Sequence, residues 1–288
     1  MQRKLHPLEG IVAGFALVFV LALTIGFAQA GDLKPLKAVS LRSSSVMVQD
    51  ADTGEIVFNK NADVVVPIAS ITKLMTAMVV LDRALELDQR VVLSREDVNA
   101  RKGTRSRLRT GAVLTRDELL LLSLMASENL AAAALGRTYP GGINAFVVAM
   151  NEKAEALGMT DSRFVDATGL SARNVSSARD LVKLVNAAHR YPLIREYSTR
   201  GRASVKVYGR QVAFGNTNGL VRNTHWNIGL SKTGYISEAG RCLVMRVKLA
   251  SKDLIVVLLD SWGKNSRVGD ANRIRKWLET AALTGRPG

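Results

Sequence analysis

Residues Pro67–Asp82 read PIASITKLMTAMVVLD. From Leu74 onward almost every position is apolar, the pattern of a helix buried on all sides. Yet Ser70 opens the stretch and Lys73 follows one turn later. Lysine is among the side chains least often buried without a partner. The i, i+3 spacing puts Lys73 on the face that carries Ser70. A serine hydroxyl is a poor nucleophile until a base takes its proton. Lysine can be that base only where burial or a second cation lowers its pKa toward neutrality. The bland reading makes Ser70 a helix cap and lets Lys73 reach water. The pair alone does not decide, because Ser-x-x-Lys recurs as Ser261-Trp262-Gly263-Lys264. That copy ends a strand-like run with no apolar helix behind it, and it reads as chance.

Outward from this helix, SSSVMVQDADTGEIVFNK alternates on both sides of Asp52-Thr53-Gly54, a hairpin signal. Helical patterns dominate from Ile68 to about Arg195. Strand patterns return in ASVKVYGRQVAF, WNIGLSKTGYI, GRCLVMRVKLA and DLIVVLLDSW. The closing ANRIRKWLETAAL places Ile274, Trp277, Leu278 and Ala281 on one helical face. Strands at both ends with helices between predict an α/β fold: one antiparallel sheet of the terminal strands, flanked by helices, plus a mostly helical subdomain. A cleft between those parts is the natural place for a site. No linker or repeat divides residues 31–288, so one domain is expected.

The chain begins MQRKLH and runs uncharged from Gly10 to Gly31 through FAQA. A basic start, an apolar stretch and small residues at Ala28 and Ala30 predict a signal peptide over residues 1–30. An uncleaved anchor is the competing reading. On either reading the rest works outside the cytoplasm, in the periplasm or cell envelope. The net charge is +15, and only Arg3, Lys4 and Glu9 are charged within residues 1–30. In an exported chain that excess points to an anionic envelope and away from nucleic acid. The densest run, ARKGTRSRLRTGAVLTR, carries Arg101, Lys102, Arg105, Arg107, Arg109 and Arg116. It reads as a solvated surface segment, with contact to wall carboxylates as the alternative. Cys242, the single cysteine, sits in the apolar RCLVMRV and reads as core. His6 lies in the signal segment, and His189 and His225 belong to no metal or triad motif.

Two further motifs change the weight of the first. LMASENLAA holds Ser127-Glu128-Asn129 between two apolar helical runs, and GLSKTGYISEAG holds Lys232-Thr233-Gly234 in a strand-like run. The three motifs stand in the order found in penicillin-binding proteins and class A β-lactamases. PIASITKLMTAMVVLD, SENLAAA, YPGGINAFVVAMN, FVDATGLS, SARDLVKL, NTNGLV, WNIGLSKTGY and AGRCLVMR together resemble the low-molecular-mass penicillin-binding proteins, the serine D-alanyl-D-alanine peptidases. Within that family the chain is most similar to the endopeptidase branch, penicillin-binding proteins seven and eight.

The resemblance implies a β-lactamase/transpeptidase-like domain over residues 31–288. It implies that Ser70 attacks a D-alanyl carbonyl to form an acyl-enzyme, that Lys73 is the general base, and that Lys232 helps keep Lys73 neutral. Ser127 would relay a proton to the leaving amine, while Asn129 would orient Lys73 and bind the substrate amide. Thr233 and Lys232 would bind the substrate carboxylate. Gly234 would let the substrate backbone lie along the strand, and Ser70 and Tyr235 would offer oxyanion N–H groups. No metal or organic cofactor is implied. The implied partners are peptidoglycan stems and covalent β-lactam inhibitors. No membrane anchor is expected once the signal is cleaved, because the C-terminal β domain and anchoring helix of the larger carboxypeptidases are missing from the expected plan.

Endopeptidase action on wall cross-links is the expected function, with carboxypeptidase trimming of pentapeptide stems as the alternative. In the first reading the basic run at Arg101–Arg109 contacts the acidic acceptor stem. A serine β-lactamase is disfavoured by the absence of a Glu-x-x-Leu-Asn segment between Asn129 and Lys232. A non-catalytic wall-binding scaffold would not require the serine–lysine pair.

Overall fold

The alternation around Asp52-Thr53-Gly54 folds as the expected hairpin. In a computed structural model, which describes residues 39–99 and 106–283, β1 (Ser43–Asp50) and β2 (Ile56–Lys60) pair antiparallel, Val48 opposite Phe58. Asp50 closes the turn: its Oδ1 accepts from the backbone N–H groups of Asp52 and Thr53. Those bonds hold the Asp50 carboxyl below its ordinary range. The expected signal segment lies outside the described residues.

The chain continues through β3 (Val66–Pro67), a 3-10 turn at Ala69–Ile71, α1 (Thr72–Asp82), β4 (Arg90–Val92), α2 (Arg95–Asn99) and β5 (Val113–Thr115). Then come α3 (Arg116–Met125), α4 (Asn129–Arg137), α5 (Gly142–Ala156), β6 (Val175–Ser176), α6 (Ala178–Ala188) and α7 (Pro192–Thr199). The hairpin of β7 (Arg202–Val207) and β8 (Arg210–Gly215) precedes a second 3-10 turn at Gly219–Arg222. The long strands β9 (Asn227–Ile236), β10 (Gly240–Leu249) and β11 (Lys252–Ser261) follow, and α8 (Ser266–Leu283) ends the described chain.

Among the described residues the main sheet has five antiparallel strands in the order β2-β1-β11-β10-β9. The N-terminal hairpin thus joins the C-terminal strands through β1 and β11, with Val46 opposite Leu258 and Val48 opposite Val256. Both faces are covered, which is why these strands read as apolar runs without clean alternation. Val46, Val48, Leu243, Met245, Val256 and Leu258 pack with Ile274 and Leu278 of α8. Met47, Val244, Val257 and Leu259 face the other way, into the core shared with the helices. Trp277 meets Phe58 edge-on, ring centroids 6.1 Å apart.

Helix α1 is buried from Thr72 to Val80 and touches α3, α4, α5, α6 and α7. Each fully buried Leu or Met there contributes about 1.5–3 kcal/mol, and the uninterrupted apolar stretch follows from that central position. Helix α3 opens on a capping box: Thr115 Oγ1 accepts from the Glu118 N–H while Glu118 Oε2 accepts from the Thr115 N–H.

Three expectations need correction. The ASVKVYGRQVAF strands do not join the terminal sheet; β7 and β8 form a separate two-stranded ribbon. The helical middle also contains short ribbons, β3–β6 and β4–β5, whose strands of two or three residues are too short to show a period. Within the basic run, Arg107 and Arg109 are exposed, but Arg116 is buried and bonds Gln89 and Thr138. Arg101, Lys102 and Arg105 lie outside the described residues.

Candidate active site

Ser70 stands in the 3-10 turn that leads into α1, and no side chain caps that helix. The residue before it, Ala69, has φ 47°, a left-handed conformation that costs a residue with a Cβ about 1–2 kcal/mol. Two neighbours hold the turn there. The Ile68 N–H donates to the Asn174 carbonyl at 3.0 Å, and Thr72 Oγ1 donates to the Ala69 carbonyl at 2.8 Å. Two glycines press on the same turn from opposite segments. A Cβ on Gly169 would fall 2.0 Å from the Ala69 oxygen, and one on Gly234 would fall 2.9 Å from the Ile68 oxygen and 3.1 Å from the Ser70 nitrogen. Only glycine permits both approaches.

Lys73 is fully buried. Its Nζ donates to Ser70 Oγ at 2.9 Å, to Asn129 Oδ1 at 2.7 Å and to the Thr168 carbonyl at 2.5 Å. Three acceptors match the three protons of an ammonium group. Burial nevertheless lowers its pKa to about 7, against the pull of the Asp166 and Glu128 carboxylates. Near neutral pH this lysine can therefore exist with a lone pair directed at a serine hydroxyl, which is the state of a general base.

Lys232 is buried beside it, donating to Ser127 Oγ at 2.8 Å and to the Thr233 carbonyl at 3.0 Å. Burial pushes its pKa well down, and the positive charges of Lys73 and Arg267 add to the effect. Burial is the leading cause at each lysine, and the charges that act on Lys73 are the carboxylates of Asp166 and Glu128, which oppose it. What lowers the Lys73 pKa is desolvation, and not the repulsion by Lys232 that was expected to help.

Both lysines are gripped by the turn between α3 and α4. Ser127 has φ 56° there, and the Glu128 N–H donates to the Leu122 carbonyl at 3.0 Å. This bend sends Ser127 to Lys232 and Asn129 to Lys73. Thr233 Oγ1 lies 2.6 Å from Thr217 Oγ1, and the Thr217 N–H donates to the Met125 carbonyl at 3.1 Å. Tyr235, 55% exposed, stands at the mouth with the Arg241 guanidinium 4.5 Å from its ring centroid.

Sequence reasoning missed four participants. Asp166 organises the FVDATGLS loop: Oδ1 accepts from the Thr168 N–H, Thr168 Oγ1 and the Gly169 N–H, and Oδ2 accepts from the Ser171 N–H. That fold of the loop delivers the Thr168 carbonyl to Lys73. Thr217 braces Thr233, and Arg267 donates to the Gly234 carbonyl at 3.0 Å from the first turn of α8. FVDATGLS and NTNGLV were visible as segments, but a backbone carbonyl and a bracing hydroxyl leave no spacing signal.

Cys242 is buried and its thiol is pushed up to about 11 by burial, as expected of a core cysteine. The second Ser-x-x-Lys is not a pair: Ser261 Oγ lies 2.6 Å from Ser43 Oγ, both buried, while Lys264 is exposed.

The sequence model of D-alanyl-D-alanine carboxypeptidases, the S11 peptidases, matches residues 32–263. The chain belongs to this family. It is 49% identical over 249 residues to a D-alanyl-D-alanine endopeptidase of Pseudomonas aeruginosa, covering 86% of this chain and 80% of that one. It is 44% identical over 280 residues to a D-alanyl-D-alanine endopeptidase of Escherichia coli, covering 94% and 89%. The crystal structure of the Streptomyces K15 DD-transpeptidase superposes with a TM-score of 0.78 at 27% identity, over 85% of this chain and 99% of that one. Family and fold make the chain a serine D-alanyl-D-alanine peptidase of the penicillin-recognising fold.

Proposed function

We propose that the chain is a D-alanyl-D-alanine endopeptidase that opens peptidoglycan cross-links through an acyl-enzyme on Ser70. The observation that carries this reading is the buried Lys73, bonded to Ser70 Oγ at 2.9 Å with a pKa brought to about 7. In its neutral form Lys73 takes the Ser70 proton as Oγ bonds to the D-alanyl carbonyl carbon. The N–H groups of Ser70 and Tyr235 hold the oxyanion. Ser127 hands its proton to the leaving nitrogen as the C–N bond breaks, and the proton held by Lys73 makes good that loss. Water then releases the acyl group and restores Ser70. Asn129 orients Lys73, Thr233 and Lys232 receive the substrate carboxylate, and Gly234 gives the substrate access to the edge strand β9.

Penicillin would acylate Ser70 and leave slowly. Both Asp166 oxygens are committed to donors of their own loop, so this carboxylate is poorly placed to activate a hydrolytic water in the manner of a β-lactamase. Arg107 and Glu128 line an open, polar recess of about 570 Å³ next to Ser127, on the side where the leaving amine departs. We assign the acidic acceptor stem to that recess. Export through residues 1–30, and a single peptidase domain over 31–288, complete the reading; no helix of the described residues is long and apolar enough to cross a membrane. Trimming of pentapeptide stems is the second reading, favoured by the carboxypeptidase description of the family.

The test uses the chain beginning at Gly31 with a defined cross-linked muropeptide dimer and a monomeric pentapeptide, with and without penicillin, read by mass spectrometry. Splitting of the dimer that needs Ser70 and stops with penicillin is the expected result. Trimming of the pentapeptide alone would make it a carboxypeptidase. Absence of both reactions and of any penicillin adduct on Ser70 would remove the catalytic reading.

A further inference from the structure

The segment Ser261-Trp262-Gly263-Lys264 takes no part in the chemistry above, yet it lies beside it. Tyr235 of β9 pairs with Arg241 of β10, and Arg241 pairs with Ser261 of β11. The chain leaving β11 therefore emerges at the end of the sheet where Tyr235 stands. There Tyr235, Arg241, Asp260, Trp262 and Lys264 line an open pocket of about 300 Å³.

The pocket has two unspent resources. One is aromatic surface: Trp262 is 81% exposed, while Ser266 Oγ at the start of α8 donates to its carbonyl and ties its backbone down. The other is positive charge. Arg241 lies over the Tyr235 ring, and among the described residues neither Arg241 nor Lys264 makes an ion pair. Arg241 is also close enough to Arg267 to lower its pKa. Asp260 is the acidic residue of the lining, and its Oδ1 occupies the space that Gly240 leaves, 2.4 Å from where a Cβ would stand.

Direction along β9 says which half of a substrate comes here. Lys232 bonds Ser127, on the leaving-amine side, and Tyr235 is three residues further on, about 10 Å along the strand. The acyl half of the substrate must extend past Tyr235, over this pocket. We propose that the pocket is a subsite for the acyl-donor stem, where Arg241 and Lys264 hold a side-chain carboxylate of that stem and Tyr235 and Trp262 carry its apolar body. The assignment rests on the peptidase reading of Ser70. It makes the enzyme selective for stems whose residue before the D-alanine ends in a carboxylate.

Two matched cross-linked dimers test it, identical except that the donor stem carries at that residue either a side-chain carboxylate or its amide. The wild type should favour the carboxylate by about tenfold in kcat/KM, the size of one charge-assisted contact at a partly exposed site. Lys264→Gln and Arg241→Gln should bring the ratio toward one, and Lys264→Glu should favour the amide. The ratio is insensitive to partial misfolding, which lowers both rates together. Equal splitting of both dimers by the wild type overturns the subsite and leaves the peptidase reading standing, as does a ratio that Lys264→Glu does not move. Failure to split either dimer, with no penicillin adduct on Ser70, overturns both.

Discussion

Lys73 Nζ lies 2.5 Å from the carbonyl oxygen of Thr168, a residue 95 positions further along the chain. That oxygen is the one partner of Lys73 that no side-chain motif announces. It is set by the Asp166 carboxylate, which folds its own loop onto the start of α1.

The first prediction concerns pH. Lys73 acts as a base only when deprotonated, and burial brings its pKa to about 7. Acylation of Ser70 by penicillin should rise with pH through a midpoint near 7 and level off above it. Lys73→Arg stays charged throughout and should acylate at least about a hundredfold more slowly. A pH-independent wild-type rate would sink the assignment of Lys73 as base.

Asp166→Asn removes a negative charge that pulls the Lys73 pKa upward. The midpoint of the same profile should therefore move to lower pH. Its four accepted hydrogen bonds also weaken, so the plateau rate should fall by roughly tenfold as the Thr168 carbonyl loosens. An upward shift of the midpoint would contradict the electrostatic account.

Gly169 has φ 79° and lies against the Ala69 carbonyl. Gly169→Ala should cost on the order of 3 kcal/mol, from a left-handed alanine and the overlap of its Cβ. A chain of this size should lose roughly 2–4 °C of Tm per kcal/mol. Calorimetry that found an unchanged Tm would mean that the loop retreats freely, and the close packing on Ser70 would then be dispensable.

Arg107 is exposed at the recess beside Ser127, stacked over Phe214 at 5.9 Å. Arg107→Gln should slow splitting of a cross-linked dimer by about three- to tenfold, as loss of one exposed charged contact would. Trimming of a pentapeptide, whose leaving group is free D-alanine, should be unchanged. Equal loss on both substrates would point to a structural role for Arg107 and leave the acceptor stem without this anchor.

Much of this arrangement was legible in the chain. The apolar stretch after Lys73 marks a buried helix, the turn at Asp52-Thr53-Gly54 marks a hairpin, and the runs at 227–261 mark strands covered on both faces. Ser70, Lys73, Ser127, Asn129, Lys232 and Thr233 were nameable because side-chain chemistry at fixed spacing is a local property. The structure gathers them into two hydrogen-bonded groups, Ser70–Lys73–Asn129 and Ser127–Lys232–Thr233, that meet at the turn between α3 and α4. Exposure was less legible: Arg116 belongs by composition to a basic surface run and is buried all the same.

By itself, then, the sequence determined which groups are present and which segments are helix or strand, since periodicity and residue type act over a few positions. Only the tertiary structure decided that Lys73 is dry enough for its pKa to reach about 7, that Thr168, Thr217 and Arg267 brace the site, and that β7–β8 stands apart from the main sheet. Those properties depend on desolvation and on contacts between distant segments. Both arise when the two ends of the chain close one sheet over the helices between them.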